Sequence, residues 1–209
     1  MQVLSRQRSA PLGRASGHTT VGRAAMRRHG RGFTLVELAI TLVVATVLLV
    51  IAVPSFRNIT NANRLTTAAN EMVGSLNLAR MEAIKRNGST QFCSDLATNN
   101  TSDTLGSSCG TQAGAVYVLT TGTTPTAEVR ASPASLSTPI QLHGDIVAIR
   151  FNGQGLGYQA GTTSAPFNST PTTPVADLCN PALSSNNHIQ ISMATGSIIT
   201  TSTSTGACP

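Results

Sequence analysis

The sequence is short of charge, and the shortage falls in particular places. Only 11% of its 209 residues are Asp, Glu, Lys or Arg. After Arg150 there is not one Lys or Arg to the C-terminus. Phosphate backbones are held by such cations, so that stretch offers little to a nucleic acid. No acid precedes Glu37, whereas seven of the 14 basic residues (Arg6, Arg8, Arg14, Arg23, Arg27, Arg28 and Arg31) lie before Phe33. The remainder holds seven basic and eight acidic residues, a net charge of −1. The overall charge of +6 therefore belongs to the N-terminal segment. From Leu38 to Phe56 there is no charged side chain at all.

No two cysteines stand in C-x-x-C spacing. The four are Cys93, Cys109, Cys179 and Cys208, with only His143 and His188 in the same part of the chain. That pattern disfavours a zinc site, and no metal is expected. Four cysteines allow three connectivities. Cys93–Cys109 and Cys179–Cys208 are favoured, because each pair closes a local loop of polar residues that lacks core-forming side chains. A catalytic constellation is missing too. His143 and His188 are far apart in sequence, and the serines have no base nearby. Gly153-Gln154-Gly155-Leu156-Gly157 has the look of a phosphate loop, but no helix signal follows, so a β-turn is expected. Asp95 and Asp103, in the loop bounded by Cys93 and Cys109, could hold a cation but read more simply as loop residues. No enzyme activity and no cofactor are expected.

What the sequence does have is an apolar run up to Phe56, rich in Leu, Val, Ile and Ala. It approaches the ~20 residues with which a helix crosses a bilayer core. A helix is the single-segment way across, since it satisfies its own backbone hydrogen bonds. Glu37 stands at the front edge of the run, where a carboxylate deep in lipid costs roughly 2.5–3.5 kcal/mol. A cut after Gly32 would place a new amine on Phe33, one helical turn before that acid. A helix N-terminus also favours a negative side chain. An ordinary secretory signal would instead be cut after its apolar region, and it gives Glu37 no role.

The segment Arg31-Gly32-Phe33-Thr34-Leu35-Val36-Glu37-Leu38, followed by the apolar run, resembles the type III signal of type IV pilins and of the pseudopilins of type II secretion. The resemblance implies that a prepilin peptidase cuts between Gly32 and Phe33 and methylates Phe33, and that Glu37 helps dock the subunit into a growing filament. It further implies a bacterial inner-membrane protein with a cytoplasmic N-terminus and a periplasmic head. There disulfides form and persist, and the leader arginines set the orientation. Its partners would be the peptidase, other pilins or pseudopilins, and an inner-membrane assembly platform. Met26-Arg27-Arg28-His29-Gly30-Arg31-Gly32 is itself a leader of the size usual in that family, so translation is expected to start at Met26, with residues 1–25 an extension of the gene model.

The segments expected are a basic leader (1–32), a membrane and assembly helix (33–56), its amphipathic continuation (57–87) and a β-rich head (88–209). Pro54 should kink the helix, because proline lacks an N–H and crowds the preceding turn. Leu65, Ala69, Met72, Leu76, Ala79 and Ala83 recur at steps of four and three, one apolar stripe on a helix. Asn87-Gly88 should end it, with glycine in the left-handed position. Candidate strands are Thr90–Ser94, Ala115–Thr120, Ala127–Arg130, Ile146–Phe151, His188–Met193 and Ser197–Thr201, with Ala194-Thr195-Gly196 a tight turn. Residues 121–139 and 160–176 read as long surface loops. This order is similar to the GspH/FimT branch of the family. Asn63–Glu71 and Leu76–Arg86 match its helix, and Ile149-Arg150-Phe151 and Ile189–Gly196 match its strands more weakly. The fold expected is α+β and pilin-like, a long N-terminal helix packed on an antiparallel head.

Some FimT-type relatives resemble DNA receptors for natural transformation and carry Gly-Arg-x-Arg late in the chain. The matching place reads Gly196-Ser197-Ile198-Ile199. DNA binding is therefore disfavoured, and a structural subunit is the leading reading.

Overall fold

A computed structural model describes residues 32–120 and 125–209. The leader and the expected start at Met26 lie outside the described residues. The described residues fall into two units that part between Val44 and Ala45. One helix, α1 (Leu35–Arg86), begins in the first unit and ends in the second.

In the second unit α1 buries Leu65, Ala69, Met72, Leu76, Ala79 and Ala83 on one stripe. Steps of three and four keep these side chains on a single face. The stripe packs into one core with Phe92, Phe151, Leu178 and Ile191. Ala68 and Ser75 are buried beside it, and so is Glu82, whose carboxylate meets Arg86 at 2.8 Å and Lys85 at 3.3 Å. The Arg86 hydrogen bond is the main reason that the Glu82 carboxyl titrates below its ordinary value. The helix stops in a Schellman arrangement, with Gly88 N–H donating to Ala83 C=O at 3.0 Å and Asn87 N–H to Ile84 C=O at 3.1 Å. The left-handed residue is Asn87 (φ 47°), not the expected Gly88. Asparagine tolerates that region because its short side chain bonds locally.

Two antiparallel sheets follow. β1 (Thr90–Phe92), β2 (Val116–Leu119), β3 (Thr126–Arg130), β5 (Ile149–Phe151) and β6 (Gly157–Gln159) form the first, in the order β3-β2-β1-β5-β6. β4 (Gln141–Leu142), β7 (Ala176–Cys179), β8 (His188–Ala194) and β9 (Ile198–Ser204) form the second, in the order β4-β7-β8-β9. The architecture is α+β and pilin-like. The Thr90 hydroxyl donates to Ala79 C=O at 2.7 Å and ties the first sheet to α1. At Gly114 a Cβ would lie 2.5 Å from the Met72 sulfur, so only glycine admits this approach of β2's entry to the helix. The sheets meet where Gly157 N–H donates to Gly196 C=O at 2.7 Å.

Several expectations need correction. The segment bounded by Cys93 and Cys109 is not a plain loop. It holds a 3₁₀ turn (Ala97–Asn100) and a short helix, α2 (Thr104–Cys109), whose buried Leu105 joins Ala115 and Tyr117 in a second small core. The strand expected from Ile146 starts at Ile149. Ile146 and Ala148 are buried, but as irregular backbone. β3 stands where a strand was expected at 127–130 and starts one residue earlier, so residues 121–139 are not loop throughout, and β4, β6 and β7 were not foreseen. The turn from β8 to β9 stands as expected, with Thr195 and Gly196 both at positive φ.

Candidate functional site

The first candidate site is the start of α1. Thr34 immediately precedes the helix, and its side-chain oxygen accepts the Glu37 N–H at 3.2 Å. Thr34 thus caps the helix with the Thr-x-x-Glu spacing of a capping box, and the bond seen is the threonine half of it. It holds Glu37 at the third position of the helix, where the macrodipole favours an acid. The motif Thr-x-x-Glu was visible in the sequence, yet Thr34 was not singled out there. Gly32 and Phe33 lie just outside the helix, and Phe33 is exposed. A Cβ on Gly32 would meet nothing within 4 Å, so packing among the described residues does not require glycine there.

Large apolar side chains from Leu35 to Ile59 lie exposed. An 18-residue window of α1 has a mean hydropathy of 2.8, long and apolar enough to cross a membrane. Pro54 lies inside α1, which continues through it.

In the head, Cys93 is bonded to Cys109 (Cα–Cα 5.5 Å) and Cys179 to Cys208 (Cα–Cα 5.9 Å). Asp95 and Asp103 have other work than a shared cation. Asp95 accepts the Ile146 N–H at 2.8 Å. Asp103 caps α2 by accepting the Gly106 N–H at 2.9 Å, and it receives the Arg150 guanidinium, which also reaches Gln91. The Arg150 hydrogen bond holds the Asp103 carboxyl well below the usual carboxylate range. Burial and the neighbouring Glu128 push the Tyr117 hydroxyl up. The run Gly153–Gly157 is the turn between β5 and β6, with Asn152 Oδ1 accepting the N–H groups of Gln154 and Leu156 at 3.1 and 3.0 Å.

His143 and His188, distant in sequence, come together on Asp177. His188 Nδ1 stands 3.1 Å from one Asp177 oxygen and His143 Nδ1 3.3 Å from the other. Their rings meet edge to face with centroids 5.0 Å apart. Sequence reasoning missed Asp177, since strand pairing, rather than local spacing, brings it to the two histidines.

An apolar N-terminal helix that runs into an antiparallel α+β head defines a type IV pilin-like protein. Against known families, residues 68–196 match the model for type II transport protein GspH, and residues 27–53 match the prokaryotic N-terminal methylation motif. The first match spans more than half of the chain, which belongs to the GspH family of pilin-like proteins. That family is structural rather than enzymatic. Comparison with curated proteins and with solved structures gives no match.

Proposed function

We propose that this membrane-anchored pilin-family chain is a minor pilin or pseudopilin subunit, cut by a prepilin peptidase between Gly32 and Phe33, methylated at Phe33, and assembled with other pilins into a type IV pilus or a type II secretion pseudopilus. The observation that carries the reading is the overlap of the methylation motif with a capped, exposed, apolar helix start. The leader arginines keep the N-terminus in the cytoplasm, and the disulfide-bonded head lies in the periplasm. The uncharged helix waits in the bilayer. On extraction by the assembly platform, contacts between helices replace contacts with lipid. Glu37 pairs with the amine of a neighbouring Phe33, which removes two unpaired charges and sets the axial register. Pro54 bends the helix, because it cannot donate to the carbonyl one turn back.

Cleavage is the first step and decides the rest. The peptidase must approach the backbone at the scissile bond, and glycine has no Cβ to obstruct it. Mass spectrometry of membrane-extracted protein should find a chain that begins at Phe33 with one added methyl group. Gly32→Val should retain its leader, and a folding defect will not explain this, since no described residue lies within 4 Å of a Cβ on Gly32. A wild-type chain found intact through Arg31-Gly32-Phe33, in cells with an active prepilin peptidase, would refute the reading.

A further inference from the structure

The outer face of the second sheet carries a cluster for which subunit assembly has no use. In β7, Ala176 and Leu178 point into the core and Asp177 and Cys179 point away from it. Register then sets their neighbours. Asp177 faces Gln190 and Cys179 faces His188 across β8, while Gln141 faces Cys179 across β4. The His143 N–H donates to Asp177 C=O at 2.8 Å, which continues the β4 pairing by one residue and brings His143 beside Asp177. The C-terminal tail folds back over this face. Asn187 holds Gly206 through two hydrogen bonds of 2.8 and 3.1 Å, and Cys208 is bonded to Cys179. His188 and Asp177 are buried as a result, and the His143 side chain stays 52% exposed.

We propose that His143, Asp177 and His188 form a binding site for a divalent metal ion of the zinc class, held by two imidazole Nδ1 atoms and one carboxylate. The three ligand atoms lie within 4.8 Å of one another. Zinc bonds of about 2.0–2.1 Å to nitrogen and oxygen set tetrahedral ligand–ligand edges of roughly 3.4 Å. Each imidazole Nδ1 already stands near that edge from a carboxylate oxygen, His188 at 3.1 Å from one and His143 at 3.3 Å from the other, so a turn of the carboxylate brings a single oxygen to both. Charge points the same way. A buried carboxylate needs a counter-charge, and the ion pairs of Asp177 among the described residues are with His143 and His188, not with Lys or Arg. Asp177 is met by imidazoles and by the Gln190 amide at 3.2 Å, a neighbour placed to orient a ligating carboxylate. Two imidazoles with a single carboxylate suit zinc and its transition-metal neighbours rather than calcium, which takes six to eight oxygens. The exposed side of His143 leaves a fourth position for water. Cys179, His188 and Cys208 also converge, but their sulfurs are spent in the disulfide and are not thiolates.

The test uses the full untagged chain in detergent, carrying His18→Ala and His29→Ala so that His143 and His188 are its only histidines. Titration with zinc under oxidising conditions should find one ion per chain, and X-ray absorption at the zinc edge should report nitrogen and oxygen ligands without sulfur. Loss of an orienting partner alone weakens metal sites 10–100-fold, so His143→Ala and Asp177→Asn should each weaken binding by at least about 100-fold. His143 is half exposed, so its variant should fold, and circular dichroism checks this. If Asp177→Asn does not fold, His143→Ala decides alone. Zinc bound equally by wild type and His143→Ala overturns the proposal. So does a failure of the wild type to bind zinc, and so does a coordination shell that contains sulfur or forms only after reduction.

Discussion

Asp103 shows how one carboxylate organises a segment that looked like plain loop. It caps α2, accepts the Thr101 hydroxyl at 3.1 Å and receives Arg150, which joins the α2 segment to the middle of the first sheet. Because the carboxyl is held low in the folded protein, it favours folding while it is ionised. That contribution is fully present above the unfolded carboxylate range, about pH 4, and is lost as the pH falls below it. Thermal melts followed by circular dichroism should therefore show Tm falling in acid. Asp103→Asn should lower Tm at neutral pH and flatten the acid decline. An acid slope identical in wild type and variant would show that Asp103 is not its source. The residue scale also marks the limit of what the sequence displayed. The Thr34 cap on the Glu37 N–H is local and could be read from the Thr-x-x-Glu spacing. Asp103 with Arg150, and Asp177 with its two histidines, depend on the order of strands, and no local pattern announces them.

At the scale of elements, the second half of α1 was the most legible part of the chain. Its stripe repeats over several turns, and the residues expected to be buried are buried, with Leu76 wholly inaccessible. Leu76→Ala should destabilise the head by about 2–5 kcal/mol, read from chemical denaturation. Leu48→Ala, at an exposed position, should leave the same transition within about 0.5 kcal/mol. Equal losses would mean that the stripe is not what holds the head to its helix. The strands were legible where apolar and polar residues alternate, as in β8, and illegible elsewhere for physical reasons. β7 has four residues, all buried, and the alternation in Ala-Asp-Leu-Cys is too short to mark a strand beside a Thr- and Pro-rich stretch. β4 has two residues, too few for a period, and β6 begins with the last glycine of what reads as a turn. β9 is Thr- and Ser-rich and almost wholly exposed, so it ran three residues past its expected end.

For the whole molecule, charge and hydropathy separate the readings that fold alone leaves open. From Phe33 onward the chain is nearly neutral, and where the relatives' Gly-Arg-x-Arg carries its two arginines, from the β8–β9 turn into β9, this chain holds Ser197 and Ile199. A gel shift at low salt with the full chain in detergent, its seven leader arginines replaced by glutamine, should show no retardation of duplex DNA; a shift there would revive a receptor role. In the proposed assembly a single acid sets the register. Glu37 is fixed near the front of α1 through its backbone N–H, which Thr34 accepts, and its carboxylate is the group proposed to meet a partner. Pairing with the Phe33 amine of its own chain and with that of a neighbour are both within the chemistry, but only the second matters to a filament. Glu37→Ala keeps Gly32, the leader arginines and the uncharged run, so insertion and cleavage should proceed as in wild type. The variant then carries an unpaired Phe33 amine into the apolar filament core, where an uncompensated charge is costly, and it should be nearly absent from sheared filaments or pseudopili while its membrane pool is unchanged. Quantitative immunoblotting of the two fractions measures this. Equal incorporation of Glu37→Ala and wild type would confine Glu37 to a pair within its own helix, and the register of the filament would then have to come from the head.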